Sequence, residues 1–216
     1  MSFYRTLPQM LRASSGYARS VGLRLSLFVI LLLPCRLEAE SFTPSTAVGT
    51  QTVGLIIGPL LPIRVLPAQS SKLFGVAAAP SWAITFLDSI GSGWYEGEAA
   101  VGAELLTFWT SEPVTAFGIG FTPKLMYTFT ALNRLRPYLE GGGGPLWTDL
   151  GGRVPEQPGQ FNFVVWGGAG CSWFLTPHWA VQAGYRFMHI SNGGTRSPNS
   201  GLNAGIPFVG LSFSFF

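Results

Sequence analysis

Residues 115–130 read Thr115-Ala-Phe117-Gly-Ile119-Gly-Phe121-Thr-Pro-Lys124-Leu125-Met-Tyr127-Thr-Phe129-Thr130, and the alternation within them decides the fold. Thr115, Phe117, Ile119, Phe121, Leu125, Tyr127 and Phe129 share one face of an extended chain. Ala116, Gly118, Gly120, Thr122, Lys124, Thr128 and Thr130 share the other, because successive side chains of a strand point to opposite sides. An exported soluble β-sandwich would have to bury Phe117, Phe121, Tyr127 and Phe129 from this strand alone, and eight such strands would overfill its core. A transmembrane barrel turns the large residues to lipid and the small and polar ones inward, and so accommodates them all.

Strand-like segments of the same kind recur on both sides of this one, near 50–58, 73–87, 94–109, 135–147, 160–175, 178–191 and 203–216, with turn-forming residues between them. The total of eight predicts an all-β, eight-stranded antiparallel transmembrane β-barrel. With the N-terminus periplasmic, the connections at 59–72, 110–114, 148–159 and 192–202 are extracellular and three of them are long, while those at 88–93, 131–134 and 176–177 are short. That asymmetry is the one expected of outer-membrane barrels, and it places the chain in the bacterial outer membrane. Trp82, Trp94, Trp109, Trp147, Trp166, Trp173 and Trp179 fall mostly toward strand ends, as an interfacial girdle requires. The last residues, Leu211 to Phe216, form an aromatic terminal strand of the kind the outer-membrane assembly machinery reads.

Composition agrees. With 11% charged residues, 14% aromatics, 28 Gly and a mean hydropathy of +0.34, the chain is apolar on average, yet no apolar run reaches the roughly 20 residues of a spanning helix. On the inner face of the third segment, Glu96, Glu98 and Glu104 need partners, and Arg136 and Arg186 at inward positions of other strands can supply them. The interior is then a filled ion-pair network, not a pore.

The opening residues have a different character. Arg5, Arg12, Arg19 and Arg24 precede the apolar run Leu25 to Pro34, and Leu37-Glu38-Ala39 suits cleavage, so residues 1–39 read as a signal peptide and 40–216 as the outer-membrane β-barrel domain. A lipoprotein reading through Cys35 is weaker, with Pro34 directly before it. Five of the 13 Lys and Arg and one of the ten Asp and Glu lie in 1–39, leaving 8 basic and 9 acidic groups, net −1. The basic character of the whole sequence gives no support to nucleic-acid binding. Only Cys171 remains beyond residue 39, which excludes an internal disulfide. No His/Cys/Asp cluster has metal-ligand spacing, and no cofactor is expected. His178, beside Pro177, reads as a turn residue, and Gly141 to Gly144 as a device for strand curvature or tight packing.

One segment breaks the apolar pattern with chemically capable residues. In 178–191 the odd positions, Trp179 to Ser191, form the apolar, lipid-directed face, so His189 and Ser191 project together from the outer wall at the extracellular end. Polar groups there are costly without a function. A base and a nucleophile facing the outer leaflet imply a substrate in that leaflet, such as an acyl ester of lipopolysaccharide or phospholipid. Asn192, Gly193 and Gly194 follow at once and could bind an oxyanion. Phase counting along the last segment places Asn203 on the neighbouring outer wall.

At these residues the chain resembles the outer-membrane lipid A 3-O-deacylase family, also described as acyloxyacyl hydrolase-like. His189-Ile-Ser191-Asn192 and Pro198-Asn199-Ser200-Gly201 match its two motif parts with the spacing kept. The resemblance implies Ser191 as nucleophile, His189 as base, and Asn192, Gly193, Gly194 and Asn199 as the oxyanion loop. It also implies lipid A of lipopolysaccharide as substrate, set among outer-membrane lipids; a homodimer is a further partner class the sequence allows. The family's carboxylate position is Asn203 here. An amide can orient an imidazole but cannot stabilise an imidazolium by charge, which opens the alternative of a non-enzymatic barrel with a structural or binding role.

Overall fold

The computed structural model describes residue 44 and residues 47–63 and 70–216. These belong to the second of two units into which the chain divides, Phe42–Phe216. The expected signal peptide, 1–39, lies outside the described residues. Eight strands follow one another: β1 (Gln51–Pro62), β2 (Phe74–Ile90), β3 (Gly97–Glu112), β4 (Ala116–Phe129), β5 (Leu135–Thr148), β6 (Phe161–Phe174), β7 (Trp179–Ser191) and β8 (Leu202–Phe215). Each pairs antiparallel with the next, and β8 returns to β1, from Gln51 opposite Phe215 to Pro62 opposite Ala204, closing the barrel. Closure removes the free edges that hydrocarbon would not tolerate.

The period of two seen in 115–130 governs the whole wall. In β4, Phe121 and Leu125 are exposed while Ala116, Gly118, Gly120, Thr122, Lys124 and Thr128 are buried inside. Within the 141–144 run Gly142 serves close packing on the inner side: a Cβ there would sit 2.6 Å from the Pro123 carbonyl and 2.8 Å from the Trp166 ring.

The interior is filled and charged. The Arg186 guanidinium on β7 donates through Nε and Nη2 to Glu140 on β5 at 2.8 and 2.9 Å and through Nη1 to Glu104 on β3 at 3.0 and 3.1 Å. Lys124 on β4 lies 3.7 Å from Glu140 and 4.0 Å from Glu104, and the Trp166 ring stacks under Arg186 at 4.0 Å. Two cations and two carboxylates thus tie four strands across the lumen, each charge having more than one partner, as burial demands. Arg136 pairs with Glu98 at 3.8 Å.

Two expectations are corrected. Glu96 does not point inward: Gly93–Tyr95 forms a 3₁₀ turn, β3 starts only at Gly97, and Glu96 is exposed in the connection. The partners it left open are Glu140 and Lys124, whose inward positions complete the network. Trp166 is not a girdle residue; it is 4% exposed and packs inward on the arginine. His178, at the opposite end of β7 from His189, is held by a 2.8 Å bond between Nδ1 and the Ser214 carbonyl, as a turn residue would be.

Candidate active site

β7 and β8 are the hairpin that builds the site. Their register sets His189 directly opposite Asn203 and Ile190 opposite Leu202, so the imidazole and the amide share a face. That face is the outer one: Trp179, Val181 and Tyr185 on it are exposed, while Arg186, Met188 and Ile190 on the alternate positions are buried in the lumen. His189 Nδ1 donates to Asn203 Oδ1 at 2.8 Å. In a neutral ring that donates from Nδ1, Nε2 is the nitrogen with the lone pair a general base needs. Ser191, two residues on, shares the face at the last position of β7, opposite Phe163 of β6. The hydrogen bond of the imidazole is to Asn203, and none joins the ring to the Ser191 hydroxyl.

The surroundings narrow the freedom of this pair. Asn203 is only 2% exposed although it belongs to the outer register. Gly205, the next outward position on β8, is crossed by the Tyr185 phenol, and Ile63 lies close by. On the other side, Gly201 takes a positive φ of 69°, and a Cβ there would meet His189 Cε1 at 2.5 Å. A residue with no side chain is therefore what lets the loop close over the ring.

The loop 192–201 is ordered by Asn192, which is 1% exposed. Its Nδ2 donates to the carbonyls of Arg196 and Pro198 at 2.9 and 3.2 Å, and its Oδ1 accepts from Gly194 N–H at 2.9 Å. Its own backbone N–H donates to Asn199 Oδ1 at 3.0 Å. Asn192 and Gly194 are thus put to a use the sequence did not suggest, as internal staples of the loop. Among the described residues, the Gly193 N–H and the Asn199 Nδ2 have no such engagement. Gly193 sits beside the Phe163 ring with φ of 65°.

Residues outside the motif also reach the site. Residues 149–160, between β5 and β6, bring Gln157 under the end of β7, where its Nε2 donates to the Ile190 carbonyl at 3.3 Å. Nothing in the spacing of Gln157 signals this contact, because it depends on how a long connection folds back. Among the described residues no group of His, Cys, Asp and Glu could hold a metal ion.

The crystal structure of the outer membrane enzyme PagL shares 17% identity with this chain, covering 74% of it and 97% of that chain, with a TM-score of 0.51. Neisserial surface protein A (NspA) gives 16% identity, 77% and 97% coverage and a TM-score of 0.54. At these identities the likeness establishes a shared eight-stranded fold. Among curated protein sequences none matches significantly. The sequence model of the family described as lipid A 3-O-deacylase (PagL) matches residues 72–213, a span holding β2 to β7, most of β8 and both parts of the His189–Gly201 motif. A barrel of this build, matched over most of its length, is an outer-membrane protein belonging to the lipid A 3-O-deacylase (PagL) family.

Proposed function

We propose that this chain is a serine esterase that removes an ester-linked acyl chain from lipid A in the outer leaflet. The observation that supports it most is the 2.8 Å bond from His189 Nδ1 to Asn203 Oδ1 on the outer wall, beside Ser191. That bond fixes the imidazole tautomer and leaves Nε2 toward the side where a hydroxyl nucleophile must lie. Ser191 Oγ attacks the ester carbonyl while His189 Nε2 takes its proton. The tetrahedral oxyanion is held by the Gly193 N–H and Asn199 Nδ2, the loop donors that Asn192 leaves disengaged. Collapse expels the sugar alkoxide, which takes the proton back from His189. Water, deprotonated by the same nitrogen, then releases the fatty acid from Ser191.

Asn203 orients the ring without offering it charge, so the imidazolium formed in each step is less stabilised than with a carboxylate. Activity lower than a carboxylate triad would give is expected, and Asn203→Glu should raise it. The test is expression in a lipopolysaccharide-bearing host with mass spectrometry of lipid A. Loss of one acyl chain with the wild type, none with Ser191→Ala or His189→Ala, and more with Asn203→Glu support the reading. Unchanged lipid A with both the wild type and Asn203→Glu, from barrels that fold, overturns it in favour of a non-enzymatic barrel.

A further inference from the structure

Residues 149–160 fold back into the barrel mouth. Leu150, Val154, Glu156 and Gln157 are all buried, held by turns in which Arg153 N–H donates to the Leu150 carbonyl at 2.9 Å and Gly152 N–H to the Gln157 carbonyl at 2.7 Å. Glu156 anchors this segment to the end of the β1–β2 connection. Its Oε1 accepts from the Ser70 and Ser71 N–H groups at 2.7 and 2.8 Å and from Ser70 Oγ at 2.9 Å, and its Oε2 from Ser71 Oγ at 2.7 Å. The next residue reaches the other way. Gln157 is fully buried, and its Nε2 donates to the Ile190 carbonyl at 3.3 Å.

Ile190 stands between His189 and Ser191, and its carbonyl belongs to the peptide plane from which Ser191 projects. β7 ends at Ser191, and a strand end without further pairing is where a ladder frays. Gln157 Oε1, at the same time, has no hydrogen-bond partner among the described residues. A leucine would fill the same space without an orphaned acceptor and its desolvation penalty. A fully buried amide that bonds the strand at this one peptide, and leaves its own oxygen unmatched, is badly chosen for stability alone.

We propose that Gln157 is a positioning residue: its amide, anchored through Glu156 on Ser70 and Ser71, holds the Ile190–Ser191 peptide and so aims the Ser191 hydroxyl at His189. The assignment rests on the esterase reading, and a small misplacement of a nucleophile is enough to lower turnover strongly.

The experiment compares wild type, Gln157→Leu, the double variant Ser70→Ala/Ser71→Ala, and Arg153→Gln, a surface change in the same loop, all as full barrels refolded in detergent with lipopolysaccharide. Gln157→Leu should lower kcat about tenfold with KM within about twofold, while its thermal transition stays equal to or above that of the wild type. Amide hydrogen exchange at Ser191 should quicken by a similar factor. The double serine variant should move both readouts the same way by a smaller factor, and Arg153→Gln should move neither. Wild-type kcat and wild-type Ser191 exchange in Gln157→Leu overturn the proposal, as does a loss of activity that only follows a loss of folded protein in both it and the serine variant. A wild type that releases no acyl chain defeats the esterase reading instead, and the exchange comparison then decides the Gln157 contact by itself.

Discussion

Replacing Gly201 by alanine tests the site at its tightest point. The added Cβ would stand 2.5 Å from His189 Cε1, 3.2 Å from Nε2 and 3.4 Å from Nδ1. Ordinary contact begins at 3.4 Å, so the ring or the loop must yield by about 0.9 Å, and the ring cannot do so while keeping its 2.8 Å bond to Asn203. The φ of 69° adds a left-handed penalty for alanine of about 1 kcal/mol. A displacement near 1 Å at a reacting group costs about 100-fold in rate, or roughly 2.7 kcal/mol of transition-state stabilisation. Gly152→Ala is the matched control, since Gly152 has φ of 74° with nothing within 4 Å of its added Cβ. Both variants should lose about 1 kcal/mol of stability, and only Gly201→Ala should lose activity and shift the His189 imidazole resonances. Lipid A deacylation rates and ring 15N spectra give the two readouts. Equal activities in the two variants, with an unmoved imidazole signal, would refute the placement of His189 at the reacting centre.

Other outcomes follow from the interior and the loops. Arg186→Leu strands Glu104 and Glu140 with only Lys124 between them and should cost about 3–5 kcal/mol, read as a lower urea midpoint; a loss under about 1 kcal/mol would count against the network. Adding Glu104→Gln, Glu140→Gln and Lys124→Met to it should recover much of that loss, because no member of the network is then left as an unpaired charge. The Glu156 carboxyl is raised by burial, its largest single influence, but the N–H and O–H of Ser71, the N–H of Ser70 and its own backbone N–H together outweigh this and hold it below the usual carboxylate range. Its folded value is depressed, so the tether is fully present above the unfolded value of about 4.3 and is lost as pH falls through the lower folded one. Hydrogen-exchange protection in residues 70–73 and 149–160, taken relative to the intrinsic rate at each pH, should therefore fall under acid in the wild type, and Glu156→Gln should show lower protection at neutral pH with little further change.

The barrel was legible because its signal is local and repeated. Phe117 to Phe129 alternate with Ala116 to Thr128, and the same period along β7 and β8 places His189, Ser191 and Asn203 on one wall. The failures have a common cause. Glu96 looked inward by phase, but a 3₁₀ turn at Gly93–Tyr95 ended the phase before it. Trp166 looked interfacial by residue type, but an inward position beside Arg186 turned the ring into a platform for a guanidinium. The Asn192 side chain bonds Arg196, Pro198 and Gly194 within its own loop, contacts that a motif does not spell out. Glu156 and Gln157 went unnoticed because their partners Ser70, Ser71 and Ile190 are distant in sequence and meet only when a connection folds into the mouth. Strand phase is a property of a few neighbours, whereas loop contacts depend on the whole barrel being closed.

The alternation along β7 has an evolutionary consequence. Arg186 and Met188 face the lumen, and His189 and Ser191 face the lipid, so neighbouring residues of one strand answer to separate demands. A change at Asn203 leaves the charge network among Glu104, Lys124, Glu140 and Arg186 untouched, and a change in that network leaves the outer pair facing the same leaflet. Chemistry on this wall can therefore be lost, weakened or regained by single substitutions while the barrel keeps assembling, and a lineage of such proteins can drift between active and silent members without passing through a misfolded one.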